Sequence, residues 1–243
     1  MDRDSSSARI IEWASAIVGP CDIISGDARF HGRTTVSKLK TPTGHAYLKI
    51  HKDHSTWASE VHGYEQWSRA FPGRTPTLLS AYDVGPFALL TSEILGKNLE
   101  DAALPPSQQR QVWRAAGRAL LALHELAVGE RFGVCARDGS SVGPHVTDAV
   151  EYIGMDFADL LERGARRGWI TDAESSVVER ARGMLGAFEG EPAVPCHRDY
   201  CPVNWIVDDA GEWVGVIDYE FSRWDVRGAH FSRRPAWHWT RRP

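Results

Sequence analysis

Cysteine is scarce in this chain, methionine scarcer, and no hydrophobic run is long. The four cysteines (Cys21, Cys135, Cys196 and Cys201) form no C-x-x-C pair. That excludes the common zinc frameworks and a disulfide scaffold, and leads us to expect a reduced, cytoplasmic protein. Cys196, His197 and Cys201 read C-H-x-x-x-C, which lacks zinc-ligand spacing. No apolar stretch is long enough to span a bilayer, and the N-terminal MDRDSSSARII has no apolar signal core, so no membrane partner is expected. Basic charge is not in excess: the net charge is −4 and the pI about 6.2, which argues against a nucleic-acid partner. A glycine-rich G-x-G-x-x-G run is missing too. What is present is 42% hydrophobic residues and ten tryptophans in 243 residues, enough for one large domain or two smaller lobes.

The most informative stretch is CHRDYCPVNWIV, residues 196–207, followed by VIDYE at 216–220. Asp199 and Asn204 stand five residues apart on a tight loop stiffened by Pro202. Residues 204–207 and 212–217 read as two strands around the turn Asp208-Asp209-Ala210-Gly211. That hairpin returns Asp218 to the end where Asn204 sits. Phosphoryl transfer uses this set: one carboxylate to orient a hydroxyl and take its proton, and an amide oxygen and a second carboxylate to hold magnesium. The plain alternative is a surface hairpin with scattered carboxylates.

Apolar spacing predicts a helix over 7–18, ended by Gly19-Pro20, and strands over 21–24, 34–39 and 45–50, with Thr41-Pro42-Thr43-Gly44 as a hairpin turn. A helix over 55–71 and strands over 76–84 and 87–94 follow. Beyond residue 95 the pattern turns helical, over 107–126 (with Ser107 as the expected cap), 145–163 and 172–188. A strand-rich part followed by a helix-rich part suggests two lobes with a ligand cleft between them.

Lys49 lies on the second strand of the early hairpin, where a lysine reaches α- and β-phosphates if a carboxylate positions it. On the following helix Glu60 falls about 40° from the centre of the apolar face and Glu65 about 100° away, so Glu60 is the better partner. Read alone, Lys49 is an ordinary edge-strand lysine. Around the expected phosphate loop, Gly32 offers close backbone approach, and Thr34 or Thr35 a hydroxyl donor.

Together these residues resemble the aminoglycoside phosphotransferase family, which shares the protein-kinase-like fold with choline kinases. The resemblance runs from about residue 20 to about residue 230. It implies an α+β, two-lobed fold: an N-terminal antiparallel sheet lobe over 1–94 that binds nucleotide, and a mainly helical lobe over 95–243 that carries the catalytic and metal-binding hairpin. It implies that Lys49 and Glu60 form the phosphate-binding ion pair, that Asp199 is the catalytic base, and that Asn204 and Asp218 are metal ligands. Residues 90–96, with Glu93 and Ile94, look like the inter-lobe hinge whose backbone meets adenine. Leu121-Ala122-Leu123-His124 is similar to the family's L-x-x-L-H signature; taken by itself, His124 suits the negative end of its helix as a partial charge. The implied cofactors are ATP (with GTP as an alternative donor) and Mg2+.

The sequence departs from relatives in places. Cys201 stands where Ser/Thr kinases carry lysine, Asp218 precedes Tyr219-Glu220 rather than Phe-Gly, and Arg198 replaces the glycine common in the small-molecule family. The stretch after Asp218 is short for a protein kinase, and it raises the expectation of an acceptor pocket built differently or left incomplete. Acidic residues Glu220, Asp225, Glu151, Asp156 and Asp159 around such a pocket would favour a cationic, hydroxylated acceptor such as an aminoglycoside or a basic peptide antibiotic, with Asp225 alternatively bracing the loop. The expected activity is therefore an antibiotic-inactivating O-phosphotransferase. The alternatives are a non-catalytic nucleotide-binding pseudokinase and a kinase of another hydroxylated metabolite.

Overall fold

Alternation along a few strands builds the layer that carries Lys49. The structure, a computed structural model, describes residues 3–27 and 34–231. Helix α1 (Arg3–Val18) precedes β1 (Asp22–Asp27), β2 (Thr34–Thr41) and β3 (Gly44–His51). Then come α2 (His54–Gln66), a 3-10 turn at Trp67–Ala70, β4 (Leu78–Tyr82) and β5 (Phe87–Ser92). The five strands form one antiparallel sheet in the order β1-β2-β3-β5-β4. The register pairs Thr41 with Gly44, so the expected two-residue turn closes the β2–β3 hairpin.

Successive side chains on a strand point to opposite faces. Ala46, Leu48, Ala88 and Leu90 face α1 and pack with its Ile10 and Ala14. Leu89, opposite Lys49 in register, faces the other way, into the main core with Trp57 and Val61 of α2. Lys49 therefore emerges on the α2 side of the sheet. Helix α2 is capped by Asp53, whose carboxylate accepts from the Thr56 amide at 2.9 Å. At Gly63, in the last turn of α2, a Cβ would lie 2.5 Å from the Tyr219 side chain. Glycine there lets the helix carrying Glu60 lie directly on the segment that carries Asp218.

The second part is less purely helical than its sequence suggests. Short β6 (Lys97–Asn98) precedes α3 (Pro106–His124), which buries Val112, Ala116, Leu120 and Leu123. Its cap is Pro105, with Pro106 at the first helical position; Ser107 makes no capping bond, contrary to expectation. Strands β7 (Gly133–Cys135) and β8 (Ser141–Val142) lead to α4 (Ala149–Arg167) and α5 (Asp172–Arg182). Helix α4 starts four residues later than predicted because Asp148 caps it, and a Thr171–Glu174 capping box starts α5 at its predicted first residue. Next are β9 (Val194–Cys196), a 3-10 turn at Pro202–Asn204, β10 (Trp205–Val207), β11 (Trp213–Val216), β12 (Arg223–Asp225) and a 3-10 turn at Arg227–Phe231. Two further sheets result, β11-β10-β6 and β8-β7-β12-β9. The second went unread because strands of two or three residues carry no measurable period. Gly96, at φ 143°, lets the chain cross close over β10, where a Cβ would strike the Val207 carbonyl. Among the described residues no helix is long and apolar enough to cross a membrane.

Candidate active site

The loop after β9 is held by hydrogen bonds in each direction. The Asn204 amide donates to the Cys201 carbonyl at 2.8 Å, and the Asn204 side-chain Nδ2 donates to the Asp199 carbonyl at 2.9 Å. The Ile217 amide donates to the Asn204 carbonyl at 3.0 Å, which brings Asp218 alongside. Arg198 and Asp218 both adopt left-handed backbone, at φ 65° and 72°. Such residues concentrate at functional sites, where surrounding contacts hold them in place. Arg198 is held by Asp225, Nη1 to Oδ2 at 2.9 Å, and the Asp218 amide donates to the Tyr64 hydroxyl at 3.2 Å.

Lys49 joins the two parts of the chain. Its Nζ lies 2.8 Å from Glu60, 2.7 Å from Asp218 and 3.0 Å from Glu220. Desolvation works against its charge, yet Asp218, Glu60 and Glu220 together hold its pKa well above the ordinary lysine value. For Asp218, desolvation pushes the carboxyl up, but Lys49 and, behind it, His197 hold it below the usual carboxylate range. Burial raises the Glu220 pKa, with Lys49 opposing. Three carboxylates around one ammonium leave negative charge in excess.

A divalent magnesium ion fits this donor set. With Nδ2 spent on Asp199, Asn204 has its Oδ1 left as an acceptor. Asp218 gives Oδ1 to Lys49, keeps its second oxygen, and remains 29% exposed at the side chain. Both are hard oxygen donors of the kind magnesium takes. A second group, His51, Glu60 and Glu220, has ligand atoms within 4.8 Å of one another, but there the Lys49 ammonium already supplies the cation.

Some expected residues have other partners. Glu220, expected near the acceptor, pairs with Lys49. Asp225 is fully buried against Arg198, so it braces the loop. The Glu93 side chain binds Lys38 at 2.7 Å and His45 at 3.0 Å, which leaves the backbone of Glu93 and Ile94 as the part available to a ligand. Thr34 begins β2 opposite His51; Gly32 lies outside the described residues. Glu65 forms a two-pronged pair with Arg137, leaving Lys49 to Glu60. Glu151, Asp156 and Asp159 are exposed on α4, Asp159 paired with Arg163.

Three contributors were missed. His51 packs its Nε2 2.9 Å from Glu60 Oε2. Period two was the available signal, since His51 shares a strand face with Lys49. Glu220 follows Asp218 by two residues across a left-handed turn, where no strand period applies, and its pairing with Lys49 had no such signal. The Cys201 thiol donates to Asp199 Oδ1 at 3.2 Å, a contact with no local signature.

His124 is a structural residue, but its partner is a second histidine rather than the helix end. It is buried, its Nε2 lies 2.8 Å from His230 Nδ1, and burial with nearby Arg227 lowers its pKa to about 4. The folded pKa lies below the unfolded 6.5, so this group's contribution is intact above pH 6.5 and is lost as pH falls toward about 4. Between pH 7.5 and 5.5 that loss is about 1 kcal/mol. Urea unfolding at the two pH values is expected to show a smaller fall in stability for His124→Gln than for the unsubstituted protein; equal falls would reject this assignment.

With this geometry in place, comparison with known proteins decides the family. The model of the APH phosphotransferase enzyme family matches residues 31–240. The chain belongs to that family. Membership carries the enzyme class: a small-molecule phosphotransferase that uses ATP and acts on a hydroxyl. Among solved structures, the fold is similar to aminoglycoside phosphotransferase APH(4)-Ia, with a TM-score of 0.68, 15% identity, and coverage of 92% of this chain and 75% of that one. It is also similar to APH(2")-IIa in its gentamicin complex, with a TM-score of 0.59, 14% identity, and coverage of 92% and 73%. A third similar structure is APH(3'')-Id from Streptomyces rimosus ATCC10970, with a TM-score of 0.53, 19% identity, and coverage of 93% and 80%. No curated protein sequence matches the chain significantly.

Proposed function

We propose that this phosphotransferase inactivates an antibiotic, moving the γ-phosphate of MgATP (or MgGTP) to a hydroxyl of a cationic acceptor of the aminoglycoside or basic-peptide class. In this reading the nucleotide lies between the sheet lobe, residues 1–94, and the remainder, residues 95–243. The backbone of Glu93 and Ile94 meets the base, and Thr34 faces the phosphates. Lys49, held by Glu60, meets the α- and β-phosphates. Asn204 and Asp218 would hold magnesium, which when bound neutralises phosphate charge. Asp199 accepts the acceptor's hydroxyl proton as the new O–P bond forms and the bond to the β-phosphate oxygen breaks, releasing ADP. The chain's work is positioning and electrostatic.

One observation carries the proposal: Lys49 from β3, Glu60 from α2 and Asp218 from beyond β11 meet within 2.8 Å of the ammonium, next to the loop that holds Asp199. The acceptor class draws on the exposed acids of α4 and on structural neighbours. APH(4)-Ia has been solved with ADP and hygromycin B, and APH(2")-IIa with gentamicin and with streptomycin and ATP. The test is mass spectrometry of a panel of aminoglycosides and cyclic basic peptides after incubation with MgATP or MgGTP. We expect at least one compound to gain a single phosphate. No gain anywhere in the panel would reject the acceptor class.

A further inference from the structure

Behind the loop that carries Asp199 runs a chain of three buried histidines from distant parts of the sequence. The backbone N–H of His197 points at His230 Nε2, 2.8 Å away. A backbone amide can only donate, so Nε2 must be a lone-pair acceptor. In the neutral ring the proton is then on Nδ1, which lies 2.8 Å from His124 Nε2 and donates to it. The His197 ring continues the line. Its Nε2–H donates to the Ile217 carbonyl at 3.0 Å, and its Nδ1 accepts the Asp199 amide at 3.3 Å. One ring thus touches both the amide of Asp199 and the residue before Asp218. The exposures are 6% for His124, 5% for His230 and 0% for His197, so water does not replace these bonds.

We propose that His230 is a positioning residue for phosphoryl transfer: locked in one tautomer by His124, it holds the His197 backbone and so sets where Asp199 is presented. This rests on Asp199 being the base. His230 touches neither nucleotide contacts nor magnesium donors, so its effect belongs on turnover. The neighbouring group His124, Cys196 and His230 has ligand atoms within 4.8 Å of one another and could be mistaken for a zinc site. The hydrogen bonds oppose that. If His230 Nδ1 gave its lone pair to a metal, Nε2 would carry the proton and face the His197 N–H, donor against donor. Metal-bound histidines instead aim their second nitrogen at an acceptor.

The test compares the full chain with His230→Leu and His230→Gln, reading phosphate release from MgATP with water as acceptor, and MgATP affinity. Gln keeps an acceptor and a donor on one side chain. Leu is expected to lower turnover about 10- to 100-fold, as loss of positioning does, with MgATP affinity unchanged, and Gln to recover most of it. Unchanged turnover in His230→Leu would overturn the proposal, as would a joint loss of turnover and affinity that Gln does not repair. Should the Leu variant not fold, imidazole 15N shifts of the unsubstituted protein decide. Neutral His230 protonated at Nδ1 supports the proposal; Nε2–H, imidazolium or a tightly held zinc overturns it. Asp199→Ala run alongside separates the two readings. If it keeps full turnover, the base assignment has failed. If it is inactive while His230→Leu is normal, the histidine chain alone has failed.

Discussion

Asp199→Ala is expected to lower kcat by about 10²–10⁴-fold while leaving MgATP affinity unchanged, the range over which a positioned general base contributes. The separation of the two effects follows from the hydrogen bonds. Asn204 is held by the Asp199 carbonyl oxygen, not by its carboxylate, so the loop keeps that bond in the alanine variant. Lys49, Glu60 and Asp218 meet one another without using the Asp199 side chain. Asp199 is only 7% exposed, but the loop's bond to Asn204 does not depend on its carboxylate. Steady-state kinetics with the acceptor found by mass spectrometry, together with nucleotide titration, checks both halves. A kcat equal to that of the unsubstituted protein would remove Asp199 from the mechanism; a parallel loss of affinity would show that the side chain shapes the nucleotide site instead.

The second large effect is expected at Asp218. Its replacement should abolish the magnesium dependence of nucleotide binding, a weakening beyond the about 10- to 100-fold typical of residues that only support a metal ligand. Asparagine is the cleaner substitution, because Asp218 sits at φ 72°, where Asn is tolerated and Ala is strained. Lys49 retains Glu60 and Glu220 when Asp218 is neutralised, so the ammonium is not stranded and the fold should persist. Titration of the Asn variant with ATP, with and without magnesium, gives the answer. An unchanged magnesium-dependent affinity would assign the ion to other donors.

The site was unevenly legible. The sequence alone places Asp199, Asn204 and Asp218 near one another because a hairpin is a local device. A four-residue turn between two apolar strands returns the chain to its start, and β10 and β11 do this. Lys49 and Glu60 could be paired because strand and helix periods each say which side a residue faces. Even there the phase argument chose between Glu60 and Glu65 only by angle; the reason Glu65 is absent is Arg137, 72 positions along the chain, which takes it.

Residue order and period were thus enough for the strand pattern of the first part, the main helices and the hairpin that brings Asp218 back to Asn204, because each is encoded within one or two turns or strands. Tertiary structure alone decided that Glu220 belongs to Lys49, that Asp225 is buried beneath Arg198, and that His124, His197 and His230 form one chain. These contacts join segments 27 to 171 positions apart. Burial turns such meetings into shared protons and matched charges, since a polar group removed from water must find a partner, and which partner it finds depends on packing that no local period records.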